Sequence, residues 1–431
     1  MSRKRAIAAA ILAFSLVGGL SACSVGEDTN KSSSTPGAAE ITFLTFETPN
    51  LTPQYWDAAI KRVTDKVPGV TVKKLVAPSA DRTGYAKQLK TSGQLPDVMI
   101  GVDQGGFAEA GDLYTWQPDE LKDFSSPDSS AINGKIYQLP ANTQTVPSVY
   151  YRKSMFAKAG ITAPPTTYAG FVDACAKLKA KGVLPIVVGG GKDSFPLGMT
   201  VSAAVDTSVY QATPNWIQDR RAGTVKFSDP AFVDALQKVV DLKDKGYLDP
   251  KMISVDYAGT EQNFLKGKGA MYPMGSWFAA AADKSSIKDD IGVFSWPTAD
   301  GKALVPATTG GGLEVNAKSK NLEAAKKFAL AFQLDKENLD ASVRSDALFP
   351  AIKGYSPPTD MGPVFKATYD MWAKAVQSGA VTKTFVYGQG GEALLPGVDA
   401  KVYTVTQDLI LGRKSPQDAA KFLDAEWEKA S

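Results

Sequence analysis

From residue 41 the chain alternates short apolar runs with amphipathic ones, and this alternation restricts the architectures open to it more than any other feature. Ile41-Thr42-Phe43-Leu44-Thr45-Phe46 is rich in β-branched and aromatic residues and reads as a strand; a helical segment follows from Tyr55 to Val67. Val70-Thr71-Val72 and Asp97–Val102 read as further strands, the second nearly continuous in apolar residues as a buried parallel strand should be. Pro185–Val188 and Ala270–Met274 extend the series. Asp229 and Pro230 provide a helix N-cap and first-turn proline, after which Phe232, Leu236, Val239 and Val240 form one apolar face that stops at Gly246. Phe171, Ala174, Cys175 and Leu178 make a similar face, which makes Cys175 a core residue. Strand following helix following strand predicts an α/β fold with largely parallel sheets, in which ligands bind beyond the carboxyl ends of the strands. The folded part, residues 40–431, exceeds the roughly 250–300 residues at which a single core stops growing, so two domains are expected.

The N-terminus states where the chain works. Arg3, Lys4 and Arg5 precede an apolar stretch, Ala6 to Leu20, that is too short and too rich in Ala and Gly to anchor in a bilayer and reads as a cleaved signal over residues 1–22. Leu20-Ser21-Ala22-Cys23 resembles the lipobox of bacterial lipoproteins, which implies a diacylglycerol thioether on Cys23 and attachment to the membrane through it. Residues 23–39 are then the lipidated cysteine and a small, polar, flexible tether. An anchored protein of this kind points to the outer surface of a Gram-positive cell membrane.

Loss of the signal also changes the charge. The 48 basic and 45 acidic residues give +3 overall, and removal of Arg3, Lys4 and Arg5 leaves the mature chain balanced. Such a chain has no field to attract nucleic acid. With Cys23 lipidated, Cys175 has no partner, so no intramolecular disulfide is expected. Histidine is absent altogether, which excludes Ser-His-Asp and Cys-His nucleophiles and His-ligated metals. No metal or cofactor is expected.

Several stretches carry a family resemblance. Pro96-Asp97-Val98-Met99-Ile100-Gly101-Val102-Asp103-Gln104 with Phe107–Gly111, Asn133–Pro140 with Val149–Ile161, Phe264–Trp277, and Gly310-Gly311-Gly312 with Ser319–Phe328 and Leu348-Phe349-Pro350 occur in order. Together they resemble the family 1 extracellular solute-binding proteins of bacterial ABC sugar importers, the group that contains the maltose-binding protein. Arg152 departs from the pattern, standing where the family usually has Asn. The resemblance implies a two-lobed periplasmic-binding-protein-like fold with a central ligand cleft and hinge crossings. It implies a discontinuous path: lobe one from 40–148 plus 306–350, lobe two from 149–305 plus 351–431. It also implies a monomeric receptor whose partners are a sugar, an ABC permease and the membrane.

Candidate site residues follow from strand ends and from the resemblance. Trp277, after the strand ending at Met274, could stack on a pyranose, and the resemblance places the family's stacking Trp here. Asp103 and Gln104 end the PDV strand, where a carboxylate accepts sugar hydroxyls strongly or caps the next helix. Glu47, Thr48 and Asn50 follow the first strand and either meet the ligand or cap the helix after Pro53. Gln144 and Thr145 lie in the first crossing. Asp193 and Phe195 follow the Gly189-Gly190-Gly191 loop, Gly310 and Gly311 permit close backbone approach, and Tyr387 and Gln389 belong to a late segment in which the family often supplies an aromatic. Gly388–Ala393 formally fits a dinucleotide-binding fingerprint but lies outside a βαβ unit and reads as a loop.

These features point to a lipid-anchored receptor for a carbohydrate, an oligosaccharide by preference. Two other classes stay open at this point. A glycosidase using two carboxylates needs no histidine, although no motif nominates the pair. A surface lipoprotein without a transport role needs no closable cleft.

Overall fold

The computed structural model describes residues 39–78 and 81–431; Cys23 and the signal segment lie outside the described residues. Thr42 and Asp97 show how its first layer is assembled. The strand Ala39–Phe46 pairs in parallel with Val70–Ala77 and with Val98–Ile100, and Leu313–Val315 completes the sheet antiparallel to Val98–Ile100. Asp97 Oδ2 accepts from the Thr42 N–H and hydroxyl, both at 2.7 Å, while its Oδ1 accepts from Ser319 Oγ at 2.5 Å. One carboxylate thereby ties two strands and the segment after a third. Ile41 and Phe43 alternate onto the face that packs against Trp56 and Val63 of the helix Pro53–Lys66 and Phe328 of the helix Leu322–Leu334. Thr52 begins the first of these helices, its hydroxyl accepting from Tyr55 N–H at 3.3 Å, with Pro53 in the first turn.

A second sheet lies between two others. Its order is Phe349–Pro350, Asn142–Thr145, Val305–Gly310, Val381–Thr382. Asn142–Thr145 continues within three residues into Ser148–Arg152 of the third sheet, and Val305–Gly310 continues into Leu313–Val315 of the first. The middle sheet is therefore the connection between two lobes.

In the third sheet Ser148–Arg152 is central, antiparallel to both Met271–Met274 and Ile291–Phe294. The expectation of largely parallel sheets thus holds only for the first layer. The physical reason is the chain path: the helix Phe278–Lys284 carries the chain between the two outer strands and makes them parallel to each other, while the central strand, delivered from the middle sheet, runs the other way. Pro185–Val188 is not a ladder strand. Ile186 makes single bridges to Leu248 and Met271, and the chain then turns away as the Gly190 and Gly191 N–H groups donate to Val255 O at 3.0 and 2.9 Å. The core of this lobe contains Phe171, Cys175 and Leu178 from the helix Tyr168–Ala180 and Phe232, Leu236 and Val239 from Pro230–Asp244, which ends before Gly246 at φ +68°. Arg152, the departure from the family pattern, pairs through Nε with Asp290 at 2.7 Å, and Asp290 also accepts from the Ser154 N–H and hydroxyl.

Candidate functional site

Trp277 stands three residues beyond the strand Met271–Met274, and Gly275 sets its ring. A Cβ at Gly275 would overlap the six-membered ring of the indole, so the missing side chain is what lets the ring lie back over the strand end. Ser276 N–H donates to Thr145 O at 2.9 Å, and Phe278 is buried in the core behind, so the residues on both sides of Trp277 are fixed. The indole is partly buried, 6.0 Å from the Tyr387 ring at an interplanar angle of 61°. Tyr257 lies beside Trp277 and meets Phe195 at 5.0 Å and 62°. Four aromatic residues, drawn from separate segments, line one wall.

Asn50 reaches this wall from the first lobe. Thr48 Oγ1 accepts from the Asn50 and Leu51 N–H groups at 3.2 and 3.0 Å and holds the loop after the first strand. Asn50 Nδ2 donates to Trp277 O at 3.2 Å and to Asp346 Oδ1 at 2.9 Å. Asp346 is the last residue of the helix Lys336–Asp346.

Arg82, at the start of the helix Arg82–Thr91, lies with its guanidinium 3.4 Å from the centroid of the Phe46 ring. Gly101, at φ +70°, makes room: a Cβ there would meet Arg82 Nη1 and Phe46 Cε1 at 2.9 Å. Burial pushes the Arg82 pKa down to about 10, against the pull of Asp346, Tyr387 and Tyr403. Its Nε is buried with no hydrogen-bond partner among the described residues.

The carboxylates around these groups are raised. Burial lifts Asp346 to about 7, opposed by the Asn50 amide and by Arg82 and Lys284. Burial likewise lifts Glu261 to about 7, with Asp346 adding to the effect and neighbouring Tyr257 opposing it. Asp399, at the start of the helix Val398–Ile410, is raised by burial and by the charges of Asp103 and Asp81.

The remaining expected residues fall into three groups. Asp103 and Gln389 are at the seam between the lobes. Asp103 Oδ1 accepts from Gly105 N–H at 3.0 Å, so one oxygen serves the helix start. Gln389 packs on Gly310, where a Cβ would meet its Cγ at 2.6 Å, and two residues on Gly391 N–H donates to Ala131 O at 3.0 Å. Gly311, at φ +67°, donates its N–H to Gln138 Oε1 at 3.1 Å. Glu47 and Asp193 are partly buried in the loops where they were expected, and Gln144 lies opposite Thr308 in the middle sheet. Gln104 and Thr145 sit beneath the surface instead. Gln104 is 3% exposed and its amide donates to Ser130 O; Thr145 is fully buried and its hydroxyl pairs with Ser148 Oγ at 2.9 Å.

Arg82, Tyr257, Glu261, Asp346, Asp399 and Tyr403 were not singled out by the sequence. Among the described residues no group of three or more acidic or cysteine side chains is placed to hold a metal ion. Aromatic faces, hydrogen-bond acceptors and a single guanidinium make a surface suited to a polyhydroxylated ligand, whose C–H faces stack while its hydroxyls bond at the edges.

The profile of the bacterial extracellular solute-binding proteins matches residues 48–338. A multiple sugar-binding protein of Streptococcus mutans is 26% identical over 286 residues, 63% of this chain and 67% of the relative. An ABC transporter extracellular-binding protein of Pyrococcus horikoshii is 28% identical over 183 residues, 42% of this chain and 41% of the relative. Among solved structures, a chitin oligosaccharide binding protein superposes with a TM-score of 0.80 at 28% identity, covering 91% of this chain and 99% of that one. The family match spans more than half the chain, runs from the loop after the first strand through the third sheet into the helix Lys336–Asp346, and includes Trp277: the chain belongs to the bacterial extracellular solute-binding protein family.

Proposed function

We propose that this protein is the extracytoplasmic receptor of an ABC importer, capturing a carbohydrate, an oligosaccharide by preference, between its two lobes and presenting it to a membrane permease. The observation that carries the reading is the wall built by Trp277, Tyr387, Tyr257 and Phe195, reached from the opposite lobe by Asn50. The names of the streptococcal, pyrococcal and chitin-oligosaccharide relatives support it. In this reading the lobes comprise 40–148 plus 306–350 and 149–305 plus 351–431, and closure between them is a hinge motion of the middle sheet. Trp277 is the stacking platform; Asp103, Glu47, Asn50, Asp193, Gln144 and Gln389 offer polar contacts from both sides. Cys23 carries the lipid and residues 24–39 tether a monomeric body to the membrane of a Gram-positive cell.

Calorimetry of the mature chain against a panel of mono- and oligosaccharides tests this directly. Saturable binding with the sugar recovered intact is the expected result. Appearance of cleaved product makes the protein a glycosidase, and no binding to any saccharide removes the receptor reading. Mass spectrometry of the membrane-extracted protein checks Cys23, which should carry the mass of a diacylglycerol thioether.

A further inference from the structure

We infer that the cleft takes a saccharide bearing a free amine, bound as its ammonium ion, with Asp346 and Glu261 as the acceptors beside Trp277. The inference rests on the carbohydrate reading and narrows its ligand class.

The mature chain is balanced overall, yet the groups gathered around the cleft are acidic: Asp346 and Glu261 behind Trp277 and Tyr257, and Asp399 facing Asp103 and Asp81 across the seam. Against them stand Arg82, which lies on the Phe46 ring, and Lys284 behind. Among the described residues none of these five carboxylates has a cation within ion-pair distance, whereas the buried Asp112 holds both Lys90 and Lys318. A second observation points to a ligand. Glu261 is 6% exposed, lies against Tyr257 and in the field of Asp346, and its Oε2 has no hydrogen-bond partner among the described residues. Asp346 uses one oxygen for Asn50.

Neutral sugar hydroxyls would satisfy the hydrogen bonding of these oxygens but supply no countercharge to the fraction of the two carboxyls that is ionised at pH 7. An ammonium group supplies up to three donors and the missing charge together. Neighbouring faces of Trp277 and Tyr257 add attraction for a cation. Because burial holds both carboxyls near pH 7, an arriving cation also stabilises their ionised form.

The test uses the mature chain and paired trisaccharides of glucosamine, galactosamine and mannosamine, each with free amines and in N-acetylated form, titrated at pH 7. The expected result is that at least one amine form binds about tenfold or more tighter than its acetylated partner, the factor a charge-assisted hydrogen bond supplies. In Glu261→Gln and, separately, in Asp346→Asn the preference should shrink to about threefold or less, a ratio within one variant that does not depend on its overall stability. Equal or tighter binding of the acetylated forms overturns the inference and leaves the carbohydrate reading standing. Failure of every amine form to bind, or a preference unchanged in both variants, also overturns it. Absence of binding to any saccharide, acetylated or plain, removes the carbohydrate reading and this inference with it.

Discussion

Asn50 Nδ2 donates to the backbone carbonyl of Trp277 at 3.2 Å, so the loop after the first strand of one lobe and the tryptophan of the other share a hydrogen bond. The second hydrogen of the same amide goes to Asp346 at 2.9 Å. A single side chain thus joins the loop, Trp277 and the end of the helix before the middle sheet's edge strand, 227 and 296 residues away in sequence.

Trp277→Ala removes the largest face of the wall while leaving Phe278 and the core behind it in place. Affinity for the bound saccharide should fall by about 2 kcal/mol or more, as for other buried aromatic anchors. Titration calorimetry reads the loss; unchanged affinity would show that the anchor lies elsewhere.

Gly275→Ala places a methyl group where the indole ring lies. Overpacking of this kind costs about 1–3 kcal/mol of stability, and here the ring is the part able to yield. Thermal unfolding should shift downward, and ligand dissociation in stopped flow should quicken because Trp277 leaves its position. Full retention of both quantities would mean the ring does not rest on that glycine.

The raised carboxyl of Asp346 gives a pH signature. It keeps its proton in the folded state up to about pH 7 but loses it near 4 when unfolded, so between those values the folded state binds more protons and this residue's contribution makes stability fall as pH rises. Carboxylates held low by lysine or arginine, such as Asp112 and Asp290, work in the opposite sense. The comparison must therefore be with Asp346→Asn, whose amide oxygen can still accept from Asn50. Denaturant titrations should show the variant gaining on the parent from about pH 4 to 7, with a constant gap above that range. A gap that is flat across the whole series would show that Asp346 titrates normally.

Asp97→Ala deletes the acceptor of hydrogen bonds from the Thr42 N–H, the Thr42 hydroxyl and Ser319. Hydrogen bonds to a charged group each contribute about 1.5–3 kcal/mol, with losses that share one acceptor not fully additive, so a destabilisation of about 3 kcal/mol is expected by urea unfolding. A loss under about 0.5 kcal/mol, the range of ordinary surface changes, would contradict the tie.

Much of the fold was legible where local pattern and tertiary role coincide. Ile41 and Phe43 alternate into the core, Phe171 to Leu178 face it at helical spacing, and Gly246 stops its helix. Pro185–Val188 was misread because a short buried apolar run looks the same whether it pairs along a ladder or makes single bridges. The candidate site was only partly legible. Trp277, Asn50, Phe195 and Tyr387 stand next to strand ends or glycine-rich loops, which position alone can flag. Arg82, Tyr257, Glu261, Asp346 and Asp399 stand in the first or last turns of helices or within them, where charged and aromatic residues are ordinary. Only the chain path, returning through the middle sheet, brings them to one place. Thr145 shows the converse: in sequence a polar residue of a crossing strand can face the cleft or support the backbone, and here the neighbouring Ser148 gives its hydroxyl a partner inside.

Gly275 has a further consequence for the energetics of capture. With the backbone beneath it and flanking residues held by Thr145 and the core, the Trp277 ring has little rotational freedom to surrender when a ligand arrives. Immobilising a free, rotamer-rich side chain on binding costs about 0.5–1.5 kcal/mol. With Trp277 as the proposed stacking platform, that ordering is completed during folding, once per molecule, and each cycle of loading and release would proceed on a surface already set.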